Sequence, residues 1–182
     1  ATQRWALARG VAYLNDIQGF SDPSFYPELA AAQARLIVMH AAQGRGRAQL
    51  LDIGGDAIWP RIEAFFDGRV AALTKAGVAR ERLILDPGMG FFLSRRADAS
   101  LAVLGGIDRL KRRHGLPVLV SVSRKSFLRA LTGRESAAEL GAASLAAELY
   151  AAARGVDCIR THDPGALSDG LKVMAALTRQ LR

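Results

Sequence analysis

Five short apolar runs, each followed at once by polar side chains and then by a helix-like segment, predict an α/β protein with parallel strands. The order matters because parallel α/β proteins carry their ligand-binding groups where the strands end. The clearest run is 118–122, which is largely β-branched and gives way to Ser123, Arg124 and Lys125. Half of the 182 residues are hydrophobic, which suits one domain, 1–182, of helices packed over a sheet.

The individual elements follow from local patterns. Aliphatic and β-branched runs between turn residues predict strands over 11–14, 36–39, 83–85, 118–122 and 156–159. Apolar positions three and four residues apart, together with cap residues, predict helices over 2–9, 24–34, 56–76, 98–114, 127–131, 137–153 and 166–181. The segment 41–55 is rich in Gly, Arg and Gln, and we expect a long mobile loop there.

Two architectures fit five consecutive strand–helix units: an open doubly wound sheet, or part of a (β/α)8 TIM barrel. Every predicted strand is followed by polar residues. An open sheet gathers its ligand groups at one switch point, whereas a barrel draws them from most of its strands. The pattern therefore favours the barrel.

Composition argues against several classes of protein. The formal net charge is +8, but the cations are scattered, with no basic run interleaved with aromatics, so we expect no nucleic-acid partner. No apolar run is long enough to cross a bilayer, so we expect no membrane partner. The single cysteine, Cys158, lies in an apolar run and is expected in the core, which is typical of a cytoplasmic protein.

Polar residues at the strand ends form one predicted constellation: Asn15, Asp16, His40, Asp86, Ser123, Arg124, Lys125, Arg160 and His162. Taken singly, each has an ordinary structural explanation, such as a turn, a satisfied histidine or a solvated loop. Taken together they indicate a site, because strand ends have no packing reason to carry hydrogen-bonding side chains in every case. Zinc-ligand spacing, a phosphate-binding Walker loop and a nucleophile elbow are absent from the sequence.

The residue types indicate the chemistry. Asp86 and Asn15 can recognise a flat heterocycle through paired N–H donors and ring acceptors, and Lys125 can donate to a ring carbonyl or nitrogen. Arg160 and His162 are donors suited to an anion such as phosphate or diphosphate, and Met39 and Phe91 could supply an apolar wall for an aromatic ring. Preorganised donors of this kind stabilise a departing anion.

The chain resembles the dihydropteroate synthase family, and most closely its sulfonamide-resistance type. The resemblance rests on five motifs in the family's order: 14–17 (LNDI), 38–40 (VMH), 85–91 (LDPGMGF), 123–126 (SRKS) and 159–163 (IRTHD). It implies a (β/α)8 barrel of the pterin-binding type, with about five of the eight units present. It also implies a transferase that condenses 6-hydroxymethyl-7,8-dihydropterin diphosphate with p-aminobenzoate and releases diphosphate.

The resemblance also assigns roles to residues. The implied catalytic residues are Lys125, Asp86, Arg160 and His162. The implied pterin-binding residues are Asn15, Met39, Asp86, Phe91 and Lys125. The implied p-aminobenzoate-binding residues are Ser123, Arg124, Lys125 and Phe91, and the implied diphosphate-binding residues are Arg160 and His162.

Two departures from the family pattern shape further expectations. After Asp86-Pro87-Gly88 the family usually continues with Phe-Gly-Phe-Gly-Lys, whereas this chain has Met89-Gly90-Phe91-Phe92-Leu93 and no lysine. We hypothesise that this rim helps to discriminate p-aminobenzoate from sulfonamides. The family's first three strands and its magnesium loop are also not matched, so we expect the chain to be the C-terminal part of a barrel. The Mg²⁺ loop would then lie upstream of Ala1, with no metal ligand in this chain.

Other functions stay open from the sequence. A corrinoid-linked pterin methyltransferase would share the barrel and the pterin-edge pair, although the 123–126 motif and the Arg160/His162 pair speak against it. A catalytically incomplete pterin-binding fragment is a second alternative. For the intact synthase we expect a homodimer.

Overall fold

The computed structural model describes residues 2–42 and 51–180. Its five strands are β1 (Tyr13–Asp16), β2 (Arg35–Met39), β3 (Leu83–Asp86), β4 (Leu119–Val120) and β5 (Cys158–Ile159). Each lies within two residues of a predicted strand, because short aliphatic runs between turn residues are a strong local signal. Most of the predicted loop over 41–55 lies outside the described residues; residues 51–54 are irregular and lead into the longest helix.

The helices also follow the prediction with one exception. They are α1 (Thr2–Leu7), α2 (Tyr26–Ala31), α3 (Gly55–Lys75), α4 (Ala97–Gly105), α5 (Asp108–His114), α6 (Ser126–Thr132), α7 (Gly141–Ala153) and α8 (Pro164–Gln180). Across the described ranges, no helix is both long enough and apolar enough to span a membrane.

The exception is the helix predicted over 98–114, which is two helices. The break falls at Gly105 and Gly106, since two consecutive glycines weaken a helix. The indole of Trp59 lies against Gly106, where a Cβ would be 3.0 Å from its Nε1, and this Nε1 donates to the carbonyl of Ala102 at 3.0 Å. The sequence prediction followed the apolar spacing and missed this tertiary contact.

The strands follow one another in chain order, and all are parallel. β1 pairs with β2 and β2 with β3, while β4 pairs with β5. A parallel bridge between Leu85 and Val118, with a hydrogen bond of 2.9 Å from the Leu85 amide to the carbonyl of Pro117, joins the two groups. Chain-order neighbours without a reversal are typical of a barrel rather than of a doubly wound sheet.

The two faces of the strands have different environments. Outward residues such as Leu36, Leu85 and Val120 are fully buried under the helices in one large apolar core. The opposite face carries a small cluster of Ile37, Ile84 and Leu119, against which Cys158 packs half-buried rather than fully buried as expected. This second face ends in polar residues, and it positions the site.

The strand array is curved. The Arg160 guanidinium, just beyond β5, donates to the side-chain oxygen of Asn15 on β1 at 3.2 Å, although 145 positions separate them. In a flat sheet the first and fifth strands would lie about 19 Å apart, four spacings of roughly 4.8 Å, which is more than these two side chains and one hydrogen bond can bridge. The carboxyl ends of the strands therefore surround a common space.

Candidate active site

Asp86 is the buried centre of the site. It is the last residue of β3, is 1% exposed, and accepts a hydrogen bond from the backbone amide of Gly88 at 2.9 Å. Burial raises the pKa of Asp86 to about 6, while the Gly88 hydrogen bond and the charges of Arg160 and Lys125 oppose that rise. A carboxylate in this environment needs donors, and a bound heterocycle with N–H groups would supply them.

Lys125 is a cation close to Asp86, and it lies in the segment between β4 and α6. It precedes α6, where Ser126 begins the helix, and it is half-buried, so burial lowers its pKa while Asp86 raises it. Its stem packs on Gly90, where an added Cβ would be 3.4 Å from the Lys125 Cβ, and its ammonium lies 5.2 Å from the centroid of the Phe92 ring. Gly90 has φ 64°, a conformation that favours glycine.

Arg160 and Asn15 complete this group. The Asn15 side chain points to the same face as Ile37, its register partner on β2, and its oxygen accepts from Arg160. Arg160 is exposed, and its backbone amide donates to the carbonyl of Val120 at 2.9 Å, which ties the end of β5 to β4. The structure therefore brings Asn15, Asp86, Lys125 and Arg160 together, as expected from their positions at strand ends.

Ser123, Arg124 and His162 form a second group beside the first. The Ser123 hydroxyl is 3.1 Å from Nδ1 of His162 and accepts from the His162 backbone amide at 3.3 Å, and the Ser123 residue is only 3% exposed. The neighbouring Arg124 is exposed and has φ 57°, and its amide donates to the hydroxyl of Ser144 on α7 at 2.9 Å. Ser123 thus orients His162, a contact that sequence reasoning did not foresee.

The two apolar residues predicted for the wall lie in different environments. Met39 is the register partner of Asp86 and is 4% exposed, in keeping with a place beside the heterocycle. Phe91 is 47% exposed at the rim, and its neighbour Phe92 is the ring that approaches Lys125. The adjacent aromatic pair contains no local signal that distinguishes the two rings, since their orientation depends on the 3₁₀ turn at Gly90–Phe92.

A metal site is not formed by these residues. Over 2–42 and 51–180, no group of three or more His, Cys, Asp and Glu side chains is placed to hold an ion. Mg²⁺ is often held by one or two carboxylates together with substrate phosphates, so the magnesium expectation stays a prediction.

Comparison with known proteins decides the family. The family model described as "Pterin binding enzyme" matches residues 1–162. The chain belongs to the pterin-binding enzyme family. This pterin-binding chain is 59% identical over all 182 of its residues to dihydropteroate synthase type-2 of Escherichia coli, and it spans 66% of that relative, just under two thirds. The similarity to the sulfonamide-resistance type noted from the sequence is thereby confirmed.

Solved structures show the same fold. Dihydropteroate synthase from Stenotrophomonas maltophilia, solved with imidazole in its active site, matches with a TM-score of 0.89 at 32% identity, covering 97% of this chain and 65% of that one. The enzyme from Xanthomonas albilineans, in complex with 7,8-dihydropteroate, matches with a TM-score of 0.83 at 31% identity, covering 97% and 63%. The predicted α/β fold of the pterin-binding barrel type is confirmed, with five parallel strands among the described residues.

Proposed function

We propose that this chain provides the pterin and diphosphate side of a dihydropteroate synthase. The reaction would join 6-hydroxymethyl-7,8-dihydropterin diphosphate to p-aminobenzoate and release diphosphate. The observation that carries the proposal is the buried Asp86 carboxylate facing Lys125 and Arg160 in a member of the pterin-binding family. The relatives compared above are named as dihydropteroate synthases, which supports the synthase over a corrinoid-linked methyltransferase.

The proposed binding mode uses each group according to its chemistry. Asp86 would accept N–H donors of the pterin, and Asn15, released from or sharing its bond with Arg160, would hold the same edge. Lys125 would donate to the ring carbonyl and nitrogen, with Met39 at the edge of the ring slot. Such a charge-assisted planar pairing is specific because a wrongly substituted ring would leave the buried Asp86 carboxylate without a partner.

The proposed chemistry needs no side-chain nucleophile. The bond between the pterin methylene carbon and the diphosphate oxygen breaks, and the departing oxygen takes the electron pair. Arg160 and His162 would stabilise that developing anion. The aniline nitrogen of p-aminobenzoate then bonds to the cationic methylene carbon and loses a proton to solvent. Ser123 would contribute by orienting the His162 ring, and Arg124 and Lys125 would border the p-aminobenzoate.

The decisive experiment separates binding from turnover in the protein that carries this chain. Calorimetry would measure pterin diphosphate binding, and a product assay with p-aminobenzoate would measure turnover. We expect Asp86→Ala to weaken binding by about 100-fold, the loss of a charge-assisted hydrogen-bonded pair. We expect Lys125→Ala to lower turnover by a factor on the order of 100.

Matched controls lie on α8. Lys172 and Asp169 are exposed on α8 and pair with each other at 2.9 Å, and neither has a proposed role in ligand binding, so Lys172→Ala and Asp169→Ala should change neither quantity. Unchanged binding in Asp86→Ala would contradict the proposed site. Binding without any product in the unmodified protein would instead support a pterin-binding fragment that lacks turnover.

The rim formed by Phe91 and Phe92 would discriminate substrate from drug. Phe92 lies near the Lys125 ammonium and stands where the family usually has glycine, while the exposed Phe91 beside it matches the family's phenylalanine. Bulky rings at this rim would leave less room for a sulfonamide than for p-aminobenzoate. Sulfonamide inhibition constants, measured against p-aminobenzoate for this protein and for an ordinary synthase, test the idea; similar constants would refute it.

Magnesium, a homodimer and a cytoplasmic location stay predictions. A magnesium dependence would be seen as loss of pterin diphosphate binding after chelation and its return with Mg²⁺. Sedimentation velocity of the protein that carries this chain would measure its oligomeric state.

A further inference from the structure

His40 makes several contacts with the turn that follows Asp86. It comes directly after β2 and is 3% exposed, and its backbone amide donates to the carbonyl of Asp86 at 2.8 Å. Its ring Nδ1 lies 3.0 Å from the carbonyl oxygen of Pro87. Gly88 packs so closely that a side chain there would collide with the backbone oxygen of His40. The turn and His40 therefore form one rigid unit.

The proton on the His40 ring can be assigned from chemistry. A carbonyl oxygen only accepts hydrogen bonds, so Nδ1 must carry the hydrogen that is donated to Pro87. Burial lowers the pKa of His40 to about 4, with a smaller contribution from the charge of Arg61, while the Pro87 bond acts in the opposite direction. The ring is therefore a neutral Nδ1–H donor at neutral pH, held edge-on against Phe65 with 5.1 Å between ring centroids.

The hydrogen bond from His40 to Pro87 is linked to Asp86 through one peptide group. The carbonyl of Pro87 and the amide of Gly88 belong to the same planar peptide unit. His40 holds the oxygen of that unit at 3.0 Å, and the Asp86 carboxylate accepts from its N–H at 2.9 Å. A hydrogen bond at the oxygen of a peptide fixes its plane and strengthens the donor at its nitrogen.

We propose that His40 is a positioning residue that orients the Asp86 carboxylate and keeps it ionised, acting through the Pro87–Gly88 peptide. The His40 ring lies against Phe65 of α3, and its role in ligand binding would be indirect. The effect on the Asp86 carboxylate stands on geometry alone; its consequence for pterin binding rests on the proposed function.

The charges around Asp86 show why this peptide matters. Burial favours the protonated carboxyl, whereas Lys125, Arg160 and the Gly88 amide favour the carboxylate. With its pKa at about 6, Asp86 is close to the pH at which a further loss of stabilisation would leave it protonated and unable to accept two N–H donors.

The test compares His40→Asn with His40→Leu in the protein that carries this chain. The asparagine amide nitrogen can occupy the place of Nδ1 and keep a donor for Pro87, whereas leucine fills the space without one. The readout is the titration of the Asp86 carboxyl carbon by ¹³C NMR without ligand, with Asp86→Asn used for assignment. We expect the midpoint to stay near 6 in the asparagine variant and to rise to about 7 in the leucine variant, because the Gly88 amide would lose its alignment with the Asp86 carboxylate and with it the charge-assisted hydrogen bond.

Pterin binding gives the second readout. The leucine variant should bind about fivefold more weakly at pH 6, because a rise of the midpoint from about 6 to about 7 lowers the ionised fraction from about one half to about one tenth, and it should recover most of its affinity at pH 8.5. The asparagine variant should stay within about twofold of the unmodified protein at both pH values. An unchanged Asp86 titration in the leucine variant would overturn the proposal, as would equal shifts in both variants. If the unmodified protein did not bind pterin diphosphate, the proposed function would be wrong. The Asp86 titration would still test the role of His40.

A measurement on the unmodified protein covers the case in which a variant does not fold. The ¹⁵N spectrum of His40 should show a protonated Nδ1, an unprotonated Nε2 and a ring that stays neutral down to about pH 5, given a pKa of about 4. The opposite tautomer, or a ring that titrates near its ordinary pKa, would overturn the proposal.

Discussion

At the scale of single residues, burial and the neighbouring cations have opposite effects on the pKa of Asp86. The position of this carboxylate at a strand end is evident from the sequence, as are the positions of Lys125 and Arg160. Its complete burial is not evident, because it depends on which helices and turns cover the end of β3. Burial gives the carboxylate a raised pKa and makes it a strong acceptor for a ligand that brings its own donors.

The raised pKa predicts a cost in stability that depends on pH. Below the unfolded value near 3.8, both states are protonated and there is no cost; the cost grows as pH rises and is complete above about 6. Asp86→Asn should therefore increase the free energy of unfolding at pH 8 by about 2–3 kcal/mol. At pH 4.5 the gain in the free energy of unfolding should be only about 1 kcal/mol, with urea denaturation as the measurement at both pH values. An equal gain at both pH values would contradict this assignment.

At the scale of elements, α2 depends on a single arginine. A helix of six residues is too short to be stable by itself. The Arg82 guanidinium, just before β3, donates to the carbonyls of Leu29 at 3.0 Å and of Ala34 at 2.8 and 2.9 Å, and more weakly to Ala30. These bonds satisfy carbonyls at and beyond the end of α2, which its own backbone leaves without partners.

Arg82→Met should therefore lower the free energy of unfolding by about 2 kcal/mol, because several buried carbonyls lose their donors. Arg4→Met is a matched control: Arg4 also joins α2, through an ion pair with Glu28 in which both side chains are nearly half exposed. That change should cost less than about 1 kcal/mol. Chemical denaturation of both variants measures the difference, and equal effects would show that Arg82 acts through its charge alone.

At the scale of the whole molecule, the curved array gathers cations from distant parts of the chain. Lys125 and Arg160 face the common space at the strand ends, with His162 beside them, in a chain whose formal net charge is +8. A concave surface lined by one sign of charge attracts ligands of the opposite sign, and added salt screens that attraction.

Pterin diphosphate should therefore bind about tenfold more weakly when the ionic strength rises from 0.05 to 0.5 M, as measured by calorimetry; these values follow from the shortening of the screening length. The corresponding hydroxymethylpterin, which lacks the diphosphate, should change by less than about twofold. Equal salt dependence of both ligands would contradict an anion site at Arg160 and His162.

The sequence by itself determined the order of strands and helices and the residues at the strand ends. These depend on local patterns: aliphatic runs, glycine and proline punctuation, and apolar spacing along helices. It also supported the barrel, because polar residues follow every predicted strand.

Only the tertiary structure decided which of these residues meet. The contact of Asn15 with Arg160 depends on the curvature of five strands, and the position of the Phe92 ring beside Lys125 depends on one 3₁₀ turn. The hydrogen bond between His40 and the Pro87–Gly88 peptide depends on the register of β2 against β3. Contacts between residues far apart in sequence arise from packing, which no local pattern encodes.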